Sequence, residues 1–507
     1  AVRARGPRGG IDARGDAMTG AAPPPGPDAG APPPFTEFPR SALEEPIGAL
    51  FERQVARHAG RPAVSSGGRV LTYAELDRSA NRLARAILAR RGTGLEPIAL
   101  LLAHDAPVLA AILAVLKAGK IYVALDAHHA TPRLAAILAD SEAPLIVCDA
   151  ANHDRARALI PPRGALLDVT SLDDAAPDGP LGLSISARTP ASICYTSGST
   201  GRPKGVVWDH RGIVHRVMLF VQSARIGPDD RVALLQSVAV GAAYRRIFGA
   251  LLTGAAVHPF DLRGEGADAL APWLVRERIT VCSFAASVFR HFATGLEGAG
   301  LFPALRWLWL GSEAVLKSDV ELYRAHFSPA CVFASGLSTS EAGSLREFII
   351  DETTPLDGAV VPVGYPQPDK EILPLGEDGH AVEAGEVGEI AVRSEYLALG
   401  YWRRPDLDRT VFLPDPMGGP ARIYRTGDLG RMRPDGCLVH LGRKDARAKL
   451  AACPRAGQGR GSSAGPPRRL SCPCTPTTPE PDRSALARGL PSIAPVVRRS
   501  SALLDSL

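Results

Sequence analysis

From residue 46 onward the chain alternates between two spacings of apolar residues. Ile47, Leu50, Phe51 and Val55 fall on one helical face, and Leu76, Ala80, Leu83 and Ile87 form a second helical stripe. Thr72 and Glu75 stand at capping-box spacing ahead of that stripe. Short apolar runs at 98–102, 121–125 and 144–148 predict buried strands. Between them, Asp105 caps a helix that Gly119 ends, and residues 132–138 predict another. Strand alternating with helix implies an α/β sheet with parallel strands. A second alternation starts at Arg231, with apolar runs at 232–235, 255–260, 281–284 and 305–310 and a helix over 247–252. From Val361 the spacing changes to short strands, at 388–392, 422–424 and 437–440, separated by Gly and Pro turns. This predicts a small β-barrel-like unit.

The two ends lack either period. Residues 1–40 are rich in Pro, Gly, Ala and Arg, and the stretch after 445 becomes Pro- and Ser-rich, compositions that cannot bury a core. The expected organisation is therefore a disordered segment at 1–40, α/β units at 41–230 and 231–360, a β unit at 361–445 and a disordered tail at 446–507. Met18 raises the expectation that residues 1–17 are upstream translation; N-terminal sequencing of the natural product tests it.

The 507 residues carry 45% hydrophobic and 22% charged side chains, ordinary for a globular protein, and a formal net charge of +5, too small a bias to imply nucleic acid. Of the eight cysteines, Cys148, Cys194, Cys282, Cys331 and Cys437 lie in or near apolar runs and read as core residues; Cys472 and Cys474 lack a second ligand pair at zinc spacing. The longest apolar stretch, 108–116, is too short to span a bilayer, and no secretory signal is visible. A cytoplasmic protein with no membrane or nucleic-acid partner is the expectation.

The densest chemistry lies in Tyr195-Thr196-Ser197-Gly198-Ser199-Thr200-Gly201-Arg202-Pro203-Lys204-Gly205, between the apolar runs 191–195 and 206–208. Glycines admit backbone N–H groups close to an anion, hydroxyls donate to phosphate oxygens, and Lys204 adds a positive charge. A flexible surface loop accounts for the glycines but not for the run of hydroxyls ending in Pro-Lys-Gly. The spacing is not that of a P-loop, and neither a kinase nor a dinucleotide-binding fingerprint occurs.

The string resembles the nucleotide loop of the adenylate-forming superfamily, which holds acyl-CoA synthetases, luciferases and the adenylation domains of nonribosomal peptide synthetases. Further strings resemble that family's motifs in its order over roughly residues 45–445: 71–76, 116–126, Leu310-Gly311-Ser312-Glu313-Ala314, Leu337-Ser338-Thr339-Ser340-Glu341, Gly400-Tyr401-Trp402-Arg403-Arg404-Pro405, Tyr424-Arg425-Thr426-Gly427-Asp428 and Leu441-Gly442-Arg443-Lys444-Asp445. The resemblance implies the large N-terminal core of that fold and ATP-dependent activation of a carboxylic acid as an acyl-adenylate. It implies that Lys204, Thr196, Ser199, Thr200 and the loop N–H groups clamp phosphates, that Glu341 holds Mg²⁺, and that Gly311, Ser312 and Glu313 lie at the adenine. Ser340 keeps the motif's hydroxyl, and Leu337 replaces the usual stacking ring. Asp428 is implied at the ribose, Arg443 at ribose or phosphate, and Asp445 at a hinge. The cofactors implied are ATP and Mg²⁺, and the partners a small carboxylic acid and a phosphopantetheinyl carrier protein.

Two departures matter. Amino-acid-activating members carry a phenylalanine–aspartate pair whose aspartate binds the α-ammonium; an ungapped alignment puts Val240-Gly241 there. Either the substrate lacks an α-amino group or another acid supplies the charge. Gly241, and His210 at a helix start, are the candidate substrate contacts. Second, the family's C-terminal domain carries a catalytic lysine, and here no lysine follows Lys449. A frameshift or a mispredicted exon near codon 450 is the expectation, which a nucleotide read tests. Alternatives are an acyl-CoA or aryl-acid ligase and, of another class, a nucleotide-binding pseudoenzyme.

Overall fold

Three sheets carry the fold of the computed structural model, which describes residue 35 and residues 37–197, 202–351, 353–383 and 385–444. From Glu37 onward these residues fall in one compact unit. The first sheet has seven strands in the order Gly400–Tyr401, Pro203–Asp209, Pro190–Ser197, Ile121–Ala124, Pro97–Leu101, Leu145–Cys148 and Ala165–Asp168. Its middle strands pair in parallel and every residue of Pro97–Leu101, Ile121–Ala124 and Leu145–Cys148 is buried, as expected of strands covered on both faces.

The second sheet has nine strands and does not follow the linear order. Val332–Thr339, Trp307–Gly311, Val281–Ala285, Arg231–Leu234 and Ala256–Pro259 run in parallel. Pro62–Ser66 then adds in parallel to Ala256–Pro259, so an early hairpin completes the later sheet. At the opposite side, Val332–Thr339 and Gly343–Ile350 form an antiparallel hairpin in which Thr339 faces Gly343. That hairpin carries Glu341 in its turn, and the apolar spacing did not announce it. The third sheet consists of Glu371–Leu375, Val387–Ser394, Arg422–Met432, Phe412–Pro414 and Leu438–Arg443, all antiparallel. It corresponds to the turn-rich pattern after Val361.

Local signals placed the early helices, while Ala286–Thr294 and Lys317–His326 went unread in the sequence. Tyr73–Arg91 begins with the full capping box: the Glu75 N–H donates to Thr72 Oγ1, and the Thr72 N–H to Glu75 Oε2 at 2.8 Å. Its stripe Leu76, Ala80, Leu83 and Ile87 is buried. Ala106–Lys117 is capped by Asp105 and followed by Gly119 at φ 68, the left-handed region that glycine enters with least strain. One helix starts earlier than its apolar residues indicate. Ala243–Leu251 includes Arg245 and Arg246, both buried, where a run beginning at Ile247 was expected. The five internal cysteines are free and buried, and no helix among the described residues is long and apolar enough to cross a membrane.

Replacing Thr72 with Ala removes a side-chain acceptor from the first turn of a 19-residue helix. We expect a loss of about 1 kcal/mol, read as a lower urea midpoint at unchanged m-value.

Candidate active site

Two adjoining cavities open where the sheets meet. The larger, about 910 Å³, takes walls from all three sheets, and the smaller, about 370 Å³, lies against it; Ser312, Ser338, Thr339 and Ser340 line both. In the larger cavity Thr196 and Lys204 face each other across the antiparallel pair Pro190–Ser197 and Pro203–Asp209, the two stems of the glycine-rich loop. Gly205 lets these strands pack closely: a Cβ there would stand 2.6 Å from Ile193 Cγ2. Lys204 Nζ lies 5.4 Å from the centre of the Tyr401 ring, and the Tyr401 hydroxyl donates to Glu341 Oε1 at 2.8 Å. Burial, and next the charge of Glu341, raise the Tyr401 pKa, so the phenol stays protonated and able to donate. The opposite wall holds Asp428. Arg443 faces it across a strand pair, with Nη1 at 3.5 Å from Oδ1, and His440 Nε2 lies 3.5 Å from the same oxygen. Thr426 orders this corner, since its hydroxyl accepts the Asp428 N–H and its carbonyl accepts Arg443 Nη1 at 2.9 Å.

The smaller cavity has a different character. Arg216 comes from the helix His210–Ala224, and Arg245 and Arg246 from Ala243–Leu251; all three are at most 4% exposed and line it. Gly241 lines it too, and its carbonyl accepts Arg216 Nη2 at 3.1 Å. Trp309 forms a wall, its ring beneath Arg245 at 4.6 Å and Arg246 at 5.3 Å. Gly311 makes room for that ring, for a Cβ at 311 would stand 2.2 Å from Trp309 Cη2. Burial lowers the Arg216 pKa, and burial together with the charge of Arg216 pushes Arg245 down to about 10.

A family model described as AMP-binding enzyme matches residues 51–402, well over half of the chain. The chain belongs to the AMP-binding enzyme family. Among its curated relatives are a probable nonribosomal peptide synthetase, CymA of Salinispora arenicola (34% identical over 80% of this chain and 5% of that protein), and surfactin synthase subunit 2 of Bacillus subtilis (31%, 80% and 11%). The chain thus spans a small fraction of the length of the curated relatives it matches. Among solved structures, the nonribosomal peptide synthetase FmoA3 with bound α-methyl-L-serine-AMP is similar at a TM-score of 0.74 and 26% identity, over 82% of this chain and 47% of that one. The N-terminal subdomain of Klebsiella oxytoca NpsA shares the fold at a TM-score of 0.70 and 24% identity, over 79% of this chain and all of that one.

Of the residues that the family resemblance singled out, Thr196, Lys204, Ser312, Glu313, Ser340, Glu341, Asp428 and Arg443 come together in the larger cavity, and Gly241 lies in the smaller. Ser197 ends its strand opposite Pro203. Gly198, Ser199, Thr200, Gly201 and Asp445 lie outside the described residues. Glu313 also serves the fold, because its carboxylate accepts the N–H and hydroxyl of Ser287 at the start of the helix Ala286–Thr294. Gly311 lines neither cavity and acts through Trp309. Ser312, which lines both, adopts φ 67, an unusual conformation for a side-chain-bearing residue. The sequence motifs gave no role to Tyr401, Thr426, His440 or the three arginines; a phenol, a hydroxyl or an arginine has no spacing signature of its own.

His210 is the correction. It lines neither cavity; the ring is fully buried at the start of its helix, and Nδ1 accepts the Ile47 N–H at 3.2 Å. It fastens the helix Ile47–His58 to the core instead of meeting substrate. Burial lowers its pKa from 6.5 to about 4. Between those values the unfolded chain takes up a proton that the folded chain refuses, so stability falls as pH drops from 6.5 to 4 and is unaffected by this group above 6.5. The contribution is on the order of 3 kcal/mol. We expect His210→Asn, which keeps an acceptor for Ile47, to have a shallower loss of stability over that window in urea unfolding; parallel curves for the two proteins would refute the assignment.

Proposed function

We propose that this chain activates a small carboxylic acid as an acyl-adenylate, with release of pyrophosphate from ATP, as an adenylation unit of a nonribosomal-peptide-synthetase-like system. The observation that carries this reading is the pair of adjoining cavities, one polar and large enough for a nucleotide, the other small and sharing Ser312 and residues 338–340 with it. Family membership and the amino-acid adenylate bound to FmoA3 support it.

In the proposed reaction an oxygen of the substrate carboxylate attacks the α-phosphorus of ATP. A new P–O bond forms as the bond to the β-phosphate oxygen breaks, and the electron pair leaves with pyrophosphate. Two anions must approach and negative charge grows on the leaving group. Lys204 and Thr196, on the loop stems, are placed to hold that charge, with Tyr401 between the lysine and Glu341. Asp428, braced by Arg443 and His440, accepts ribose hydroxyls and so fixes the line of attack. The Glu341 carboxylate, in the wall of the larger cavity with Lys204, would hold a Mg²⁺ there. Such an ion would neutralise the phosphates when bound. The thiol of a phosphopantetheinyl carrier then attacks the acyl carbonyl, and a thioester forms as the bond to the phosphate oxygen breaks and AMP leaves, in the cytoplasm.

ATP–pyrophosphate exchange across amino, hydroxy, aryl, fatty and dicarboxylic acids tests this. Exchange driven by one acid is the expected result. Lys204→Ala should lower it about 10²- to 10³-fold, and Asp428→Ala should raise the KM for ATP about tenfold. Exchange indifferent to both substitutions would reject these roles. A second reading is nucleotide binding without turnover; ATP binding with no exchange for any acid would establish it.

A further inference from the structure

The smaller cavity holds more positive charge than the protein neutralises. Among the described residues, none of Arg216, Arg245 and Arg246 has a carboxylate within ion-pair distance. Arg216 Nε and Nη1 and Arg245 Nε are buried and have no hydrogen-bond partner. The contacts these side chains do make are to neutral groups. Arg216 reaches the Gly241 carbonyl and the rings of Trp208 and Tyr244, Arg245 the Ser344 hydroxyl, and Arg246 the Ser283 hydroxyl and the Ala242 carbonyl.

The acidic groups nearby are engaged elsewhere. On the cavity wall, Asp126 lies 3.7 Å from Arg263, and Asp261 lies 2.9 Å from His128. Glu347, which acts on Arg245 from a distance, accepts from the Ser223 hydroxyl and from Gln367, and burial raises its pKa. Glu341 accepts from Tyr401. Ring contacts explain how three guanidinium groups pack together. They leave three donor atoms without acceptors beside a 370 Å³ cavity, and burying unpaired charge and unpaired donors is costly. The backbone at position 241 meets the same charge. A Cβ there would lie 3.5 Å from both Arg216 terminal nitrogens, so an ammonium brought to this point would face a cation.

We propose that the acid this chain activates carries a second anionic group and no ammonium beside its reacting carboxyl, and that Arg216, Arg245 and Arg246 receive the second anion. A small dicarboxylic acid is the simplest member of that class. Arg and carboxylate form short, charge-assisted hydrogen bonds, and all three guanidinium-bearing residues line the cavity. This inference rests on the adenylating reading above.

The test is isothermal titration calorimetry of this chain with four probes: AMP-PNP and the non-hydrolysable sulfamoyladenosines of succinate, butyrate and L-alanine. The succinyl probe should bind at least ~tenfold more tightly than the butyryl probe, and the alanyl probe more weakly than both. Arg245→Gln should abolish the succinyl preference. Gly241→Asp, which removes no buried cation but sets a carboxylate against Arg216, should reduce it and improve binding of the alanyl probe. Wild-type binding of AMP-PNP without a succinyl preference overturns this inference alone. Failure of all four probes to bind overturns the adenylating reading and this inference with it.

Discussion

The indole of Trp208 joins the two large sheets, and both cavities depend on that joint. Trp208 belongs to a strand of the seven-stranded sheet, yet its Nε1 donates to the Ser340 carbonyl in a hairpin turn of the nine-stranded sheet at 2.9 Å. The ring is fully buried, and Gly212 packs so close that a Cβ would stand 2.6 Å from it. Arg216 lies 4.7 Å from the ring centre. The lysine and the glutamate of the larger cavity therefore come from different sheets, the lysine shortly before the indole in sequence and the glutamate directly after its acceptor. The indole donor is one of the contacts that set their separation, and leaving such a hydrogen bond unmade costs about 1–3 kcal/mol. Tyr401 reinforces the joint: its strand pairs with Val206 and Val207 while its hydroxyl reaches Glu341.

The same joint separates two electrostatic environments. In the larger cavity, charges of both signs face one another: Lys204 opposite Tyr401 and Glu341, and Asp428 between Arg443 and His440. Mixed polarity suits a ligand that is anionic at one end and offers hydroxyl donors at the other. In the smaller cavity, three buried arginines outnumber the carboxylates not already engaged. Arg216 touches both environments, because it lies over Trp208 and its side chain fills the space left by the missing Cβ of Gly343 at the end of the Glu341 turn.

Much of the fold was legible because its signals are local. The capping box at Thr72, the Asp105 cap and the fully apolar parallel strands each depend on neighbours within a few residues. What escaped was set by distant partners. Pro62–Ser66 joins a sheet whose other parallel members begin at Arg231, and no periodicity within so short a strand encodes that choice. The hairpin around Glu341 was hidden because its strands contain Ser, Thr and Gly, and Arg346 and Glu347 as well. In the site, the motif order collected Lys204, Glu341 and Asp428 into one cavity. It misplaced His210, since a histidine at a helix start has the same sequence context whether it faces substrate or, as here, holds the N–H of a neighbouring helix. The arginines looked like breaks in an apolar helix, because a pattern of hydrophobic spacing treats a buried cation as a surface residue.

Those buried cations also bear on the reacting end of the substrate. On the proposed reaction, the acid must bring a carboxylate against a triphosphate, and the repulsion between them opposes the encounter. Interactions with parts of a substrate remote from the bond being made can offset such a cost without stabilising the reacting group itself. A cationic cavity beside the proposed nucleotide site is suited to that purpose if its ligand carries a second anion, since the attraction acts on the remote group and leaves the attacking carboxylate unneutralised. For a plain aliphatic acid the three arginines would instead draw the single carboxylate inward, away from the α-phosphorus. On the proposed reaction, the number and burial of these cations would thus act on the geometry of attack as well as on selectivity at the far end.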